Sequence, residues 1–166
     1  GDAAEFLEWR GALTDEARHH PEVWFVQGLQ ARRLGQTKGA VRCFLETLTL
    51  SPNHLAANNQ IASCLEQLGQ RELSLEFVRR GELLSNLESV LNLLRDDADI
   101  NLMKRSVDLL AELGRYWEAA GWSYVMSHIV GSDKKQCLSE MQRWLRLANR
   151  TSDQQVSVNP VLRLKR

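Results

Sequence analysis

Proline is scarce in this chain: Pro21, Pro52 and Pro160 are the only three in 166 residues. Long segments are therefore left free to be helical, because proline is the residue that most reliably interrupts a helix. Cysteine is also sparse, and Cys43, Cys64 and Cys137 are odd in number and far apart. That spacing excludes the paired arrangements of zinc and redox motifs, and each cysteine falls among helical-period residues as a small hydrophobe would. No apolar run approaches the roughly 18 residues that cross a bilayer, so membrane insertion is not expected. Ten glycines are scattered singly, which rules out a glycine-rich phosphate cradle. The formal net charge is zero, and the basic residues are not interleaved with aromatics that would stack on bases. Nucleic acid is therefore not an expected partner.

What remains is the composition of an ordinary folded domain, with 43% hydrophobic and 25% charged residues. The length suits one domain with a real core better than two. Charge is unevenly distributed along it. From Lys134 onward eight Lys or Arg face two acids, whereas Gly81 to Ile100 holds five acids against Arg95 alone. Solvated faces explain this more simply than a dedicated docking pair. The chain opens on Gly1-Asp2 without a methionine, as expected of a piece of a longer gene product, so the native compartment stays open.

Self-similarity carries the strongest signal. Leu34-Gly35-Gln36 recurs as Leu68-Gly69-Gln70 after 34 residues, and Leu113-Gly114-Arg115 follows after 45 more. Each glycine stands between two apolar-periodic stretches, the place of a helix C-terminal residue in the left-handed conformation. Before the first glycine, Trp24, Gly28 and Ala31 share one helical stripe, and Ala40, Phe44 and Leu48 form the next after it. Around the second glycine the stripes are Ile61, Ala62, Leu65 and Leu68, then Ser74, Val78 and Gly81. Around the third they are Met103, Val107 and Leu110, then Tyr116, Ala119 and Ala120. Small residues let two antiparallel helices approach closely, and a large one such as Trp24 or Phe44 fills the wedge beside them. A single hairpin of this kind cannot bury its apolar face, so neighbours must stack.

The order Trp24, Gly28, Ala40, Phe44, Pro52 resembles a tetratricopeptide repeat. Residues 21–54 are the fullest copy. Residues 55–88 follow with Asn58 in the aromatic position and Ser74 in the alanine position, and residues 100–133 form a third copy. The resemblance implies an all-α fold, a right-handed superhelical solenoid of antiparallel helix pairs. Residues 1–150 would form a single such domain, with an N-terminal helix over 3–18 and a capping helix over 134–149. Phe6, Leu7, Trp9 and Leu13 would make the first helix a lid, and Met141, Trp144, Leu145 and Ala148 would be the inner face of the last. Between the second and third copies, Leu84, Leu87, Val90, Leu91 and Leu94 keep a helical period, so the helix there runs long or restarts. Asp99 and either Ser132 or Asp133 are candidate helix caps. Residues 151–166, with Asn159-Pro160 and no helical period, read as an extended tail or linker. The runs Gly81–Arg95 and Leu113–Ala120 are also similar to repeat segments of large planctomycete-type proteins. In those proteins the repeats accompany FG-GAP and ASPIC/UnbV domains in chains that look exported. That likeness implies a downstream domain and export, but no activity.

Catalytic constellations are not visible. His19, His20, His54 and His128 show no metalloprotease spacing and no local pairing with a cysteine or serine. The adjacent pair His19-His20 would diverge on a helix rather than share a metal. The run Asp96-Asp97-Ala98-Asp99 lacks the glycine and terminal glutamate of a calcium loop. No metal, no cofactor and no enzymatic activity are therefore expected.

In a stacked array the first helix of each pair lines the concave face. The candidate partner groove is Glu22, Phe25, Leu29, Arg32 and Arg33 from the first repeat. Asn59, Gln60, Ser63 and Gln67 come from the second, and Asn101, Lys104, Arg105 and Asp108 from the third. Asn and Gln can bond a bound backbone on both its donor and acceptor sides. Phe25 and Leu29 offer an apolar pocket, and Arg32, Arg33, Lys104 and Arg105 attract carboxylates. The expected function is a protein-interaction module that takes a peptide or helical segment of another protein. The alternative is a structural spacer or intramolecular docking arm, with the groove filled by the chain's own tail or a downstream domain. Repeat co-chaperones that grip acidic chaperone C-termini use a set matching Phe25, Leu29, Gln60, Asn101 and Arg105 here. Only Arg105 conforms, so that role is not expected.

Overall fold

A computed structural model of the chain describes residues 2–96, 99–129 and 131–150. Among the described residues every regular element is an α-helix, nine in all. The chain divides into two compact units, residues 1–75 and 76–166.

The first unit contains α1 (Asp2–Gly11), α2 (Asp15–Arg18), α3 (Pro21–Arg33), α4 (Thr37–Leu50), α5 (Leu55–Gln67) and the start of α6 (Arg71–Asp96). The helix expected over 3–18 is two helices, because Thr14 restarts the chain as a cap that accepts from the Ala17 N–H at 3.2 Å. Pro21 then opens α3 at its first position, where its missing N–H costs nothing. Ala40, Phe44 and Leu48 are fully buried, as are Ala57, Ile61 and Cys64 across from them. A Cβ on Gly28 would lie 2.5 Å from the Phe44 ring, so glycine is what lets α3 and α4 close together. Trp24, expected as a buried wedge, is only half-buried. It lines an open cavity of about 500 Å³ with Arg18, His19 and Gln27, because Phe44 occupies the space under Gly28. The Ser74 hydroxyl donates to the Ala62 carbonyl at 2.9 Å, which accounts for serine where the repeat resemblance implies alanine.

In the second unit α6 continues to Asp96, followed by α7 (Ile100–Glu112), α8 (Tyr116–Met126) and α9 (Lys134–Ala148). The long-helix alternative therefore holds for the 84–94 stretch. Asp99 caps α7 through the Asn101 N–H at 2.6 Å, and Asp133 caps α9 through the Gln136 N–H at 3.0 Å. Val78 was expected on the inner stripe of α6, yet it is 39% exposed and Phe77 is fully buried. The inward positions Ser74, Phe77, Gly81 and Leu84 follow steps of three and four. This turns the larger ring inward and Val78 outward. Met103, Val107, Leu109 and Leu110 of α7 meet Ala119, Ala120 and Met126 of α8 in the core.

The three glycine turns share one geometry. Gly35, Gly69 and Gly114 have φ of 71°, 75° and 76°, the left-handed region that favours glycine. The residue after each glycine donates its N–H back to Ala31, Leu65 or Leu110, at 2.8–2.9 Å. Each helix thus ends with the same double closure of its last carbonyls. The 151–166 tail and the Asp97-Ala98 part of the acidic run lie outside the described residues.

Candidate functional site

Within the first unit, the predicted groove residues of α3 and α5 are brought together. Arg32 donates one guanidinium arm to the Gln60 Oε1 and the other to the Ser63 Oγ at 3.1 Å. About two turns before it, Phe25 lies 5.7 Å from the Phe44 ring and 4.7 Å from the His54 ring. His54 joins the start of the same face, its Nε2 standing 3.0 Å from the Glu22 carboxylate. Its Nδ1 meanwhile accepts the Ala57 N–H at 3.1 Å as the cap of α5. None of the predicted groove residues is buried. Glu22, Arg33, Asn59 and Gln67 are exposed, while Phe25, Leu29, Arg32, Gln60 and Ser63 are half-buried along the seam.

This face has three kinds of surface. A carboxylate and an imidazole stand at one end, a half-covered aromatic ring lies next, and a guanidinium held by two neutral acceptors follows. Arg32 is the most ordered charge among them, because two partners fix its planar fork. Leu29 and Arg33 open instead into a cavity of about 550 Å³ roofed by Glu5, Phe6 and Trp9 of α1. The first helix therefore overhangs the rear of the groove face, as a lid would. A neighbouring cavity of about 440 Å³ places Phe6, Leu7 and Arg10 above Ala31, Gly39 and Cys43.

In the second unit, Asn101, Lys104, Arg105 and Asp108 are all exposed on α7, at spacings that keep them on one side of the helix. The buried arginine of this unit escaped the sequence reading. Arg80 is 6% exposed and donates to the Leu113 carbonyl, at 3.4 Å, where α7 ends. Burial, and then the charge of Arg115, push its guanidinium below the usual value. A cation at a helix C-terminus meets the negative end of the helix dipole, which offsets part of that burial cost. The available signal was the Arg79-Arg80 pair on a helix whose apolar period includes position 80. From sequence, either arginine could have been the outward one.

The histidines act as helix-end residues. His19 places Nδ1 2.7 Å from the Asp15 carbonyl at the end of α2, and His20 caps α3 through the Glu22 N–H at 3.3 Å. Among the described residues no three His, Cys, Asp or Glu side chains converge as metal ligands would. No described helix is long and apolar enough to cross a membrane. The three thiols are free, and burial pushes each of them up from the usual thiol value. For Cys43 the nearby Arg10 opposes that shift without overcoming it. Two buried polar atoms, Asn58 Oδ1 and Trp144 Nε1, have no partner among the described residues. No family model matches the chain, and no curated protein or solved structure does so either.

Proposed function

We propose that the chain is a tetratricopeptide-type interaction module that holds a segment of another protein against the α3/α5 face. The observation that carries this reading is the assembled row from Glu22 and His54 through Phe25 to Arg32, Gln60 and Ser63. Charge, aromatic surface and amide groups lie there in sequence on one side of two neighbouring helices, which is the chemistry an extended or helical peptide needs. The common geometry of the three glycine turns supports the repeat assignment. Exposed Asn59 and Gln67 supply unfilled amides, and Arg33 supplies a free-standing charge for a carboxylate on the ligand. In the second unit, taken by itself, Lys104 and Arg105 are exposed cations on α7. No step of covalent chemistry is assigned to the chain.

One observation favours the spacer alternative. Arg32, Gln60 and Ser63 satisfy one another, as a purely structural seam between helices would. The two readings separate in a capture experiment from the native organism, comparing wild type with the Arg33→Ala/Asn59→Ala double variant. Both residues are exposed, so surface replacement should alter stability by no more than about 0.5 kcal/mol. A partner held by the wild type and lost by an equally stable variant identifies the module and its ligand. Equal capture by both proteins, or capture of nothing, assigns the chain to the spacer role.

A further inference from the structure

The open cavity of about 500 Å³ beside Trp24 shares no residue with the α3/α5 row and is walled by α1, α2 and α3 of the first unit. Cations dominate its wall. Arg10 comes from the last turn of α1, Arg18 from the last turn of α2, and His19 is the residue that closes α2. Among the described residues that line the cavity there is no acid. Glu5, Glu8, Asp15 and Glu16 of the same two helices are exposed and do not line it. Neither arginine enters an ion pair among the described residues. A cation at a helix end answers the negative end of the helix dipole. That accounts for each of the three separately, but not for their facing one cavity.

Two of the three are held by bonds that leave other atoms open. Arg18 donates its Nε–H to the Leu13 carbonyl, in the link between α1 and α2, at 3.2 Å. Its two terminal nitrogens have no acceptor among the described residues. His19 has its Nδ1 2.7 Å from the Asp15 carbonyl. A carbonyl only accepts, so Nδ1 carries the hydrogen and Nε2 is left without a partner among the described residues. The Arg10 guanidinium likewise has no hydrogen bond there. The half-buried Trp24 indole, the Leu7 side chain and the Gln27 amide line the same cavity.

Such a wall selects an anion with a flat apolar body. A carboxylate has two oxygens in one plane, and a single guanidinium fork fills both. Two forks from separate helices suit a tetrahedral phosphate, whose three terminal oxygens accept strongly. The His19 Nε2 adds a third contact, accepting from a protonated phosphate oxygen or donating as imidazolium. An indole and a leucine favour a ring over a sugar or a free ion, since every base offers a face to stack. Gln27 can both donate to and accept from a ring edge, the pairing an amide makes with adenine. The volume falls within the roughly 300–1,000 Å³ of small-molecule sites. A polymer is a poorer fit, because a chain of zero net charge offers no extended basic track for a phosphate backbone.

We propose that this cavity binds a nucleoside monophosphate, with the phosphate between Arg10 and Arg18 beside His19 and the base against Trp24 and Gln27. The test is calorimetric titration of the full chain with adenosine 5′-monophosphate, adenosine and inorganic phosphate in turn. The nucleotide should bind at one site with a Kd below about 1 mM. Adenosine, which lacks the anion, and phosphate, which lacks the ring, should each bind at least tenfold more weakly. Arg10→Gln with Arg18→Gln replaces two exposed side chains and should cut nucleotide affinity at least tenfold, with circular dichroism showing the helix content retained. The Arg33→Ala/Asn59→Ala variant, altered on the α3/α5 face, should bind the nucleotide as the wild type does. Saturating nucleotide should also slow deuterium exchange in residues 5–11 and 15–19, because a ligand that binds only the folded form opposes local opening. No saturable binding of the nucleotide overturns the proposal, as does equal affinity for adenosine or for phosphate. So does undiminished binding by the folded Arg10→Gln/Arg18→Gln protein, or its loss in the α3/α5 variant.

Discussion

Gly28 and Phe44 show what a single atom decides in this chain. A methyl on Gly28 would overlap two carbons of the Phe44 ring at 2.5 and 2.7 Å, and that ring is fully buried. Gly28→Ala should therefore destabilise the protein by about 1–3 kcal/mol through overpacking, despite alanine's better helix propensity. Phe44→Leu in the same background should recover part of the loss by making room; urea unfolding of the three proteins measures it. Arg80 poses the opposite problem, a charge kept inside by the carbonyl it caps. Arg80→Ala should cost about 1.5–3 kcal/mol, the range for a hydrogen bond to a charged group, by the same assay. The thiols give a pH dependence whose sign is fixed. Burial raises their folded values above the unfolded thiol value of about 8.5, so the folded state keeps the proton longer. Their contribution is complete below that value and is lost as pH rises through the folded values. Urea midpoints under reductant should be level from pH 7 to 8 and lower at pH 9.5, with a shallower fall in Cys64→Ala.

At the scale of the helix, α1 differs from the rest. It has 10 residues, below the roughly 12–15 that an isolated helix needs in water, and therefore depends on what it packs against. Yet Leu7 is 64% and Trp9 37% exposed, and cavities of about 440 and 550 Å³ lie beneath it. Amides of residues 5–11 should exchange with deuterium at least 100-fold faster than those of residues 44–50 in α4, whose stripe is fully buried. Comparable protection would mean that α1 is held far more firmly than its contacts imply. The same contrast explains what the sequence made legible. Glycine turns, caps and inward stripes depend on short-range geometry, so Gly35, Gly69, Gly114, Asp99 and Asp133 are readable in one dimension. The break at Thr14, the exchange of Phe77 for Val78 and the burial of Arg80 depend on which neighbour fills a given volume. Of the groove face, the sequence supplied which α3 and α5 residues would meet. It did not supply that Arg32 is already engaged by Gln60 and Ser63, because that needs the reach of a long side chain across two helices.

For the molecule as a whole, electrostatics reduce to a balance and a pattern. The 21 basic and 21 acidic side chains cancel, with a sequence pI near 7.1, but they are segregated along the chain. The stretch from Gly81 to Ile100 is acidic, and the sequence from Lys134 onward is basic. Near neutral pH no net repulsion keeps copies apart, and oppositely charged surfaces on different molecules attract. Solubility should accordingly pass through a minimum close to pH 7 and rise at pH 5.5 and 8.5, where the chain carries a net charge. Salt should act in the direction set by the pattern. Raising ionic strength from about 0.02 to 0.3 M shortens the screening length from roughly 20 to 6 Å, which weakens attraction between patches. Static light scattering at pH 7 should then show a second virial coefficient that moves from negative toward zero as salt is added. A coefficient that falls with salt instead would place the attraction in apolar surface, with exposed Leu7, Leu75 and Trp117 among the first side chains to examine.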